Sequence, residues 1–425
     1  LPGETREIRL YGVDGKDSYD IKGEKKGIRI RVIAGEGDDA YKTGANTVIK
    51  IYDNKSQILD VSSGTRLYLS NDSAVHSYLY HAFSYDKKGA GPVIFYDSDD
   101  RIFVGVNYKA LIHRWRKEPF GQRHNLYARY SINQRAFSFG YEGIFNQFAG
   151  KWSLLADAYY DFVRWTNFYG LGNNTTLETD NRDFYRIRSK EVWVGARFQR
   201  QIGRQSVFTI APFYRYVQLL KNEDRFLAKT FFNGNGLSEY EGKGFGGVQA
   251  SLNFQRLNNV LIPTKGIQFA TGVTHTKNLS SPSSFTNYDG NLKFYLPLSG
   301  HFTLSVENGA ATVTGKPEFY QLNTIGGSRL RGHRSDRFWG ETVYHNNNEL
   351  HYLWDVRSNL FNGKMGIMMF MDQGRVWKEG ESSNNWHYGY GGGLTIAPFN
   401  KIYVSLQYGL SKEDGTFHFE LRRSL

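Results

Sequence analysis

The sequence contains no cysteine and only nine prolines among its 425 residues. Without cysteine there is neither a disulfide framework nor a thiolate metal site. No run of about 18 apolar residues occurs, and this absence excludes a transmembrane helix. The low mean hydropathy of -0.53 still permits a transmembrane β-barrel, because such strands turn only every second side chain toward lipid.

Acidic residues are fewer than basic residues, 41 against 53, and the formal net charge is +12. The basic residues are spread along the whole chain rather than gathered on one face, which argues against a nucleic-acid partner. Neither HExxH nor G-x-S-x-G is present, so the sequence predicts no catalytic residue, no cofactor and no metal site. The turns GVDGKD and GEGDD resemble half of a calcium-binding nonapeptide, but Asp and Gly are also ordinary turn residues, the interpretation we prefer.

Aromatic residues make up 16% of the chain and glycine supplies 46 residues, a composition that favours many strands joined by turns. Strict alternation dominates from about residue 100 onward. In RIFVGVNYKALIHR, for example, Val104, Val106 and Tyr108 fall on one face, while Gly105 and Asn107 fall on the other. These segments run to about ten residues or more, which is the length that a tilted strand needs to cross a bilayer.

The connections alternate between short turns and long polar loops, as in outer-membrane barrels. The sequence therefore predicts an all-β chain: a 16-stranded antiparallel transmembrane β-barrel at residues 91–425, preceded by a small β-rich module at residues 1–90. Loosely repeated units with Gly/Asp turns predict about five short strands in the module. The barrel strands are predicted at 91–97, 101–113, 124–133, 136–146, 151–163, 188–201, 205–219, 244–257, 266–277, 286–298, 301–314, 342–356, 364–374, 386–397, 401–411 and 416–425.

One predicted strand, within KMGIMMFMDQGRVW, turns a lone carboxylate, Asp372, toward the barrel interior together with Phe370 and Gly374. The loop at 315–341 carries four arginines and is long enough to fold back into the lumen. Asp372 could then bind a guanidinium and Phe370 could pack on it. The alternative is a solvated loop whose arginines contact lipopolysaccharide or nothing.

Three motifs resemble those of the BamA-like superfamily of outer-membrane assembly and secretion barrels, the bacterial surface antigen family. The sixth-loop signature is similar to Gly326, Gly327, Arg331, Gly332 and His333, the inner-wall signature to Phe370, Asp372 and Gly374, and the periplasmic turn to Pro263, Thr264, Lys265 and Gly266. The resemblance implies that Arg331 bonds Asp372 and packs on Phe370, and that Gly332 permits a tight tip. It also implies a lateral gate between 91–97 and 416–425.

Two features depart from that family. His333 stands where the family has tyrosine or phenylalanine, which puts the packing of the loop tip in doubt. Residues 1–90 do not resemble mixed helix and sheet periplasmic repeats. The Gly/Asp turns and the segment NFYGLGNN, Asn167 to Asn174, are similar to a subgroup in which a patatin-like or phosphoesterase-like hydrolase precedes the barrel. Because the chain begins at Leu1 without an initiator methionine or signal peptide, we interpret it as a piece of a longer protein.

The resemblance implies a non-enzymatic chain that inserts or translocates polypeptides in the bacterial outer membrane, with its N-terminal module in the periplasm. The expected partners are outer-membrane lipid and a polypeptide client, with accessory lipoproteins or a fused upstream domain as further candidates. Two alternatives stay open at this point. The barrel could anchor and provide an exit route for an upstream hydrolase, or it could be a passive pore, against which a plugging loop argues.

Overall fold

The structure, a computed structural model, divides into two units, Leu1–Tyr85 and Asp86–Leu425. In the described part of the chain, every helix is too short or too polar to span a bilayer. The described residues are 4–5, 7–23, 27–45, 48–54, 58–78, 84–97, 101–132, 135–358 and 361–423.

The first unit is built from parallel strands that alternate between two sheets. One sheet has the order β1-β3-β5-β7 and the other β2-β4-β6. Val32, Ile49 and Ile51 are fully buried in its core. The elements are β1 Glu7–Tyr11, β2 Ser18–Gly23, β3 Arg29–Ile33, β4 Ala40–Ala45, β5 Ile49–Asp53, β6 Ile58–Val61, β7 Thr65–Leu69 and α1 Ser73–His76.

The described residues of this unit form seven strands, where the sequence predicted about five. The first two repeats each supply two strands, one on either side of a Gly/Asp turn: β1 and β2 flank the first turn, and β3 and β4 flank the second. The second strand of a repeat is hard to recognise because it is mostly polar: in SYDIKG only Ile21 is buried. The ladder to the next repeat, rather than local hydrophobicity, holds such a strand in place.

The second unit confirms the predicted sixteen-stranded antiparallel barrel, with neighbouring strands following one another along the chain. Its strands are β8 Lys87–Asp97, β9 Arg101–Ile112, β10 Gln122–Ser131, β11 Ala136–Ala149, β12 Trp152–Asn167, β13 Arg186–Ile202, β14 Ser206–Leu219, β15 Lys243–Leu257, β16 Gly266–Asn278, β17 Ser284–Ser299, β18 Phe302–Gly315, β21 Thr342–Arg357, β22 Asn362–Trp377, β23 His387–Pro398, β24 Ile402–Leu410 and β25 Gly415–Arg423.

The long connections 168–185, 220–242 and 316–341 lie at one end of the barrel, here called the loop end. The opposite, turn end carries the start of β8, the end of β25 and mostly short turns. One connection predicted to be long, between β16 and β17, is only 279–283 because both strands extend further than their alternation suggested. The connections also contain β19 Asn323–Ile325, β20 Phe338–Gly340, 3-10 turns at Arg182–Tyr185, Leu237–Tyr240, Phe319–Gln321 and Gly327–Arg329, and a π turn at Leu227–Phe231.

The first and last barrel strands form the edges of the hydrogen-bonded sheet. Among the described residues no ladder joins β8 to β25, although every other neighbouring pair is bonded. β8 begins at Lys87, earlier than the predicted residue 91, because its Lys-Lys-Gly-Ala start pairs with β9 without any hydrophobic signal. The predicted gate range 416–425 ends in two residues, 424 and 425, that lie outside the described residues.

Candidate functional site: the lumen loop and the inner wall

The side chains of β22 alternate between lipid and the barrel interior as the sequence predicted. Asp372 is 0% exposed and Phe370 5%, whereas Met369 and Met371 are 64% and 54% exposed. Gly374 lies on the same inner face, nearer the loop end, where β22 ends at Trp377. An ionised carboxylate with no exposed surface requires a cation or several donors.

The connection from β18 to β21, residues 316–341, supplies that cation. It is called the lumen loop here. Its short strands β19 and β20 pair as a hairpin from Asn323 to Gly340. Inside the hairpin, the chain turns at Gly326 and Gly327, whose φ angles are +132° and +58°. A Cβ on Gly326 would lie 2.0 Å from the carbonyl oxygen of Arg334, so the turn requires glycine.

Arg331 binds Asp372 through its side chain and its backbone. Its Nε donates to Asp372 Oδ2 at 2.7 Å and its Nη2 to Oδ1 at 2.6 Å, a bidentate pair. The backbone N–H of Arg331 also donates to Oδ2, at 3.0 Å. Because Asp372 lies five residues before the end of β22 at Trp377, the loop reaches roughly 16 Å along the wall from the loop end.

Three further groups surround the same guanidinium. Its Nη1 donates to Glu349 Oε1 at 2.6 Å and to Gln407 Oε1 at 2.9 Å. Its central carbon lies 3.7 Å from the ring centroid of Phe370, a cation–π contact. The structure thus brings Arg331, Asp372 and Phe370 together; that their contact locks the loop stays a prediction of the sequence.

Glycines on the inner faces of β23 and β24 leave room for the loop backbone. A Cβ on Gly389 would lie 1.7 Å from the carbonyl oxygen of Arg331, and one on Gly409 would lie 2.6 Å from the amide nitrogen of Gly332. Gly332 itself has a φ of +88°, and its own Cβ would lie 2.5 Å from the Leu410 carbonyl. The loop tip and the barrel wall therefore approach each other closely because both carry glycine at the points of contact.

His333 is buried, with 3% of its surface exposed, although its ring is polar. Its Nδ1 lies 3.3 Å from Glu413 Oε2 and its Nε2 lies 3.1 Å from the Tyr388 carbonyl oxygen. The ring packs edge-on against Phe338 at a centroid distance of 5.5 Å. A histidine can therefore occupy this position because the turn between β24 and β25 supplies an acid.

Two other arginines of the lumen loop, Arg334 and Arg337, fasten it to neighbouring connections. Arg337, fully buried, donates twice to Glu413, from Nη2 at 2.7 Å and Nε at 2.8 Å, and from Nη1 to Thr175 Oγ1 at 2.7 Å. Arg334 pairs with Asp414. Burial alone would raise the pKa of Glu413, but its hydrogen bonds to His333 and Arg337 lower that pKa to about 2.

An aromatic cluster fills the loop end beside the lumen loop. Connection 168–185, part of the stretch predicted as a polar loop, folds inward because it buries Phe168, Tyr169 and Tyr185. Glu381 anchors it by accepting the backbone N–H groups of Asn173 and Asn174. The buried members of this cluster are Phe168, Tyr169, Tyr185, Ile187, Val217, Leu219, Phe226, Leu227, Phe245 and Trp339.

The predicted periplasmic turn motif, Pro263 to Gly266, lies at the turn end, away from the lumen loop. The Oδ1 atom of Asn258 accepts the backbone N–H groups of Thr264 and Lys265, each at 3.1 Å. The same turn buries Leu261 and Ile262 against inner-wall residues of β21, β23 and β24: Leu353, Ala397 and Tyr403.

Sequence reasoning did not find Glu349, Gln407, Glu413 or Gly389 as part of this arrangement. Each lies on a different strand or turn from Asp372, so only the register between neighbouring strands brings them together. The alternation of β21 and β24 could have placed Glu349 and Gln407 inward, but not at one guanidinium. Within the described residues no group of three or more His, Asp or Glu side chains is arranged to hold a metal, and the Gly/Asp turns of the first unit are no exception.

Sixteen antiparallel strands with an apolar outer face, a polar interior and an inward-folded loop define a transmembrane β-barrel of the outer-membrane type. The sequence model described as the Omp85 superfamily domain matches residues 120–422. The chain belongs to the Omp85 superfamily, which confirms the resemblance seen in the motifs.

Two solved structures with similar folds are informative. BamA from Haemophilus ducreyi lacking POTRA domains 1-3 matches with a TM-score of 0.60 and 13% identity, over 80% of this chain and 71% of that one. CdiB from Escherichia coli matches with a TM-score of 0.52 and 12% identity, over 85% of this chain and 65% of that one. At such identities the likeness concerns the fold alone. No curated protein matches the sequence.

Proposed function

We propose that this chain inserts or translocates polypeptides at the bacterial outer membrane, with the lumen loop as a lock and the seam between β8 and β25 as a lateral gate. The observation that carries the proposal is that no ladder joins β8 to β25 among the described residues, while the lumen loop is bonded to the β24–β25 hairpin beside this seam. An unpaired strand edge is a template for another strand, so it can receive a client segment by β-pairing.

The lumen loop is bound to the β24–β25 hairpin, which forms one border of the seam. Gly332 N donates to Thr416 Oγ1 in β25 at 3.1 Å, and Ser411 Oγ donates to the Gly332 carbonyl at 2.8 Å. Arg331 reaches Gln407 in β24. Displacing the loop would therefore release contacts along the hairpin, which gives a physical route from loop position to gate position.

The proposed orientation places the long connections outside the cell and the N-terminal unit in the periplasm. In outer-membrane barrels the longer connections are extracellular and the short turns periplasmic. The turn end also carries the start of β8, which follows the N-terminal unit in the chain. A passive pore is disfavoured because the lumen loop and the aromatic cluster occupy the interior at the loop end.

Site-specific photocrosslinking in cells tests the gate. A photoreactive residue at Phe419, outward on β25 and 68% exposed, should form adducts with polypeptide clients. The matched control is Tyr288, outward on β17 and 49% exposed, on a wall distant from the seam. Equal adducts at both positions, or none at 419, would contradict the gate. A blank result would favour instead the role of a membrane anchor for an upstream hydrolase.

A further inference from the structure

Three arginines surround one tryptophan on the outer wall near the loop end. The guanidinium carbons of Arg186, Arg188 and Arg225 lie 5.1, 5.5 and 4.5 Å from the ring centroid of Trp165. Trp165 belongs to β12, the first two arginines to β13, and Arg225 to connection 220–242. These four residues, all partly exposed, are called the arginine–tryptophan cluster.

The cluster faces away from the lumen. Trp165 pairs with Arg188 across β12 and β13, while the neighbouring Ile187 and Ser189 are buried on the inner side. Toward the middle of the membrane the outward face of β13 becomes apolar. Along that face the residues are Arg186, Arg188, Lys190, Val192, Val194, Ala196, Phe198 and Arg200. The cluster therefore lies at the border of the lipid-facing band, where tryptophan and long cationic side chains are favoured.

The positive charge of the cluster is only partly compensated within the protein. Asp183, whose side chain is 57% exposed, pairs with Arg186 at 3.0 Å. The Nε atoms of Arg188 and Arg225 are buried without an acceptor in the part of the chain that the structure describes. Burial, with repulsion from Arg188 and Arg186, lowers the pKa of Arg225 despite the proximity of Asp183.

We propose that the arginine–tryptophan cluster binds the phosphate of an anionic lipid head group. Guanidinium groups match phosphate with paired hydrogen bonds, and three of them converge here around one tryptophan ring. A lipid is favoured over soluble phosphate because the apolar strip from Val192 to Phe198 continues directly below the charges and would contact the acyl chains. Only the assignment to the outer leaflet rests on the orientation proposed above.

The test uses the purified full chain in nanodiscs of a zwitterionic lipid, to which bisphosphorylated lipid A or its dephosphorylated form is added, with bound lipid measured by native mass spectrometry. The double variant Arg188→Gln, Arg225→Gln should bind phosphorylated lipid about a hundredfold more weakly, at about tenfold for each lost charge-assisted contact. The matched control is Arg200→Gln, an outward arginine on the same strand at the turn end, 6.0 Å from the ring of Trp152. It should leave binding unchanged.

Equal binding of both lipid forms, or an equal loss in the Arg200 control, would overturn the proposal. Competition by inorganic phosphate at concentrations similar to the lipid would show that a soluble anion is the ligand, and would overturn it as well. Heat-modifiable migration of each variant on a gel verifies that the barrel is folded. Because lipid binding is measured without a client, failure here is distinguishable from failure of the proposed gate.

Discussion

Replacing Arg331 with alanine removes the central contact of the lumen loop. The variant loses hydrogen bonds to Asp372, Glu349 and Gln407 and the cation–π contact with Phe370. Asp372, with no exposed surface, loses its guanidinium partner and keeps the backbone N–H of residue 331 in the docked loop, whereas Glu349 keeps His351 at 3.0 Å. Removing one partner of a buried ion pair destabilises the structure that holds the pair by about 3–5 kcal/mol. The docked loop should therefore lose roughly two to three and a half powers of ten in its equilibrium with undocked forms.

Spin labelling measures this shift directly. Since the chain has no cysteine, a single Ser328→Cys substitution places one label on an exposed position of the loop. Electron paramagnetic resonance should show an immobilised label with Arg331 present and a mobile one in Arg331→Ala. The control is Arg329→Ala in the same loop, since Arg329 is exposed and its side chain donates to the Thr324 carbonyl of that loop, at 3.1 Å. A label that stays immobile in Arg331→Ala, in a barrel shown to be folded, would refute the reasoning.

Three other perturbations probe the same arrangement. Gly389→Ala should undock the loop, because the new Cβ would lie 1.7 Å from a loop carbonyl, whereas Gly290→Ala, with nothing within 4 Å, should not; the label at 328 reports both. The pKa of Glu413 is lowered from 4.5 to about 2, so its stabilisation of the docked loop is complete above pH 4.5 and lost as the pH falls through about 2. The mobility of the label should rise as the pH falls across that window, and Glu413→Gln should abolish this pH dependence. A variant with the same pH profile as the unsubstituted protein would contradict the role of Glu413. Asn258→Ala removes the side-chain oxygen that accepts the amides of Thr264 and Lys265, which should destabilise the turn by about 1–3 kcal/mol. Hydrogen exchange at 259–265 should then accelerate, and unaltered protection would contradict the role of Asn258.

The strand count and the inner face of β22 were predictable because lipid on one side and water on the other impose a period of two. Asp372 and Phe370 follow from that period alone. The partner of Asp372 could be named only through the family resemblance, since a loop of this length can place any of its arginines at the wall. Glu349 and Gln407 were not predicted because the register between neighbouring strands cannot be read from local sequence.

Strand ends were the weakest part of the prediction. Lys87 starts β8 without hydrophobic alternation, because ladder bonds to β9 hold a polar segment. His333 illustrates a different limit: its departure from an aromatic ring is compensated by Glu413, which lies 80 positions away along the chain. Compensation of this kind depends on which turn happens to lie opposite, and a single sequence does not encode that proximity in any local pattern.

The turn at 258–265 has a consequence for permeability. Leu261 and Ile262 pack against Leu353 and Tyr403 of the inner wall, and the Leu261 carbonyl accepts Arg422 Nη1 at 3.5 Å. This segment is attached to the inner wall at the turn end through contacts of its own, separate from those of the lumen loop. Under the function and orientation proposed above, undocking the lumen loop would leave this turn seated, so the barrel could open sideways for a client while the inner filling of its periplasmic end stays in place.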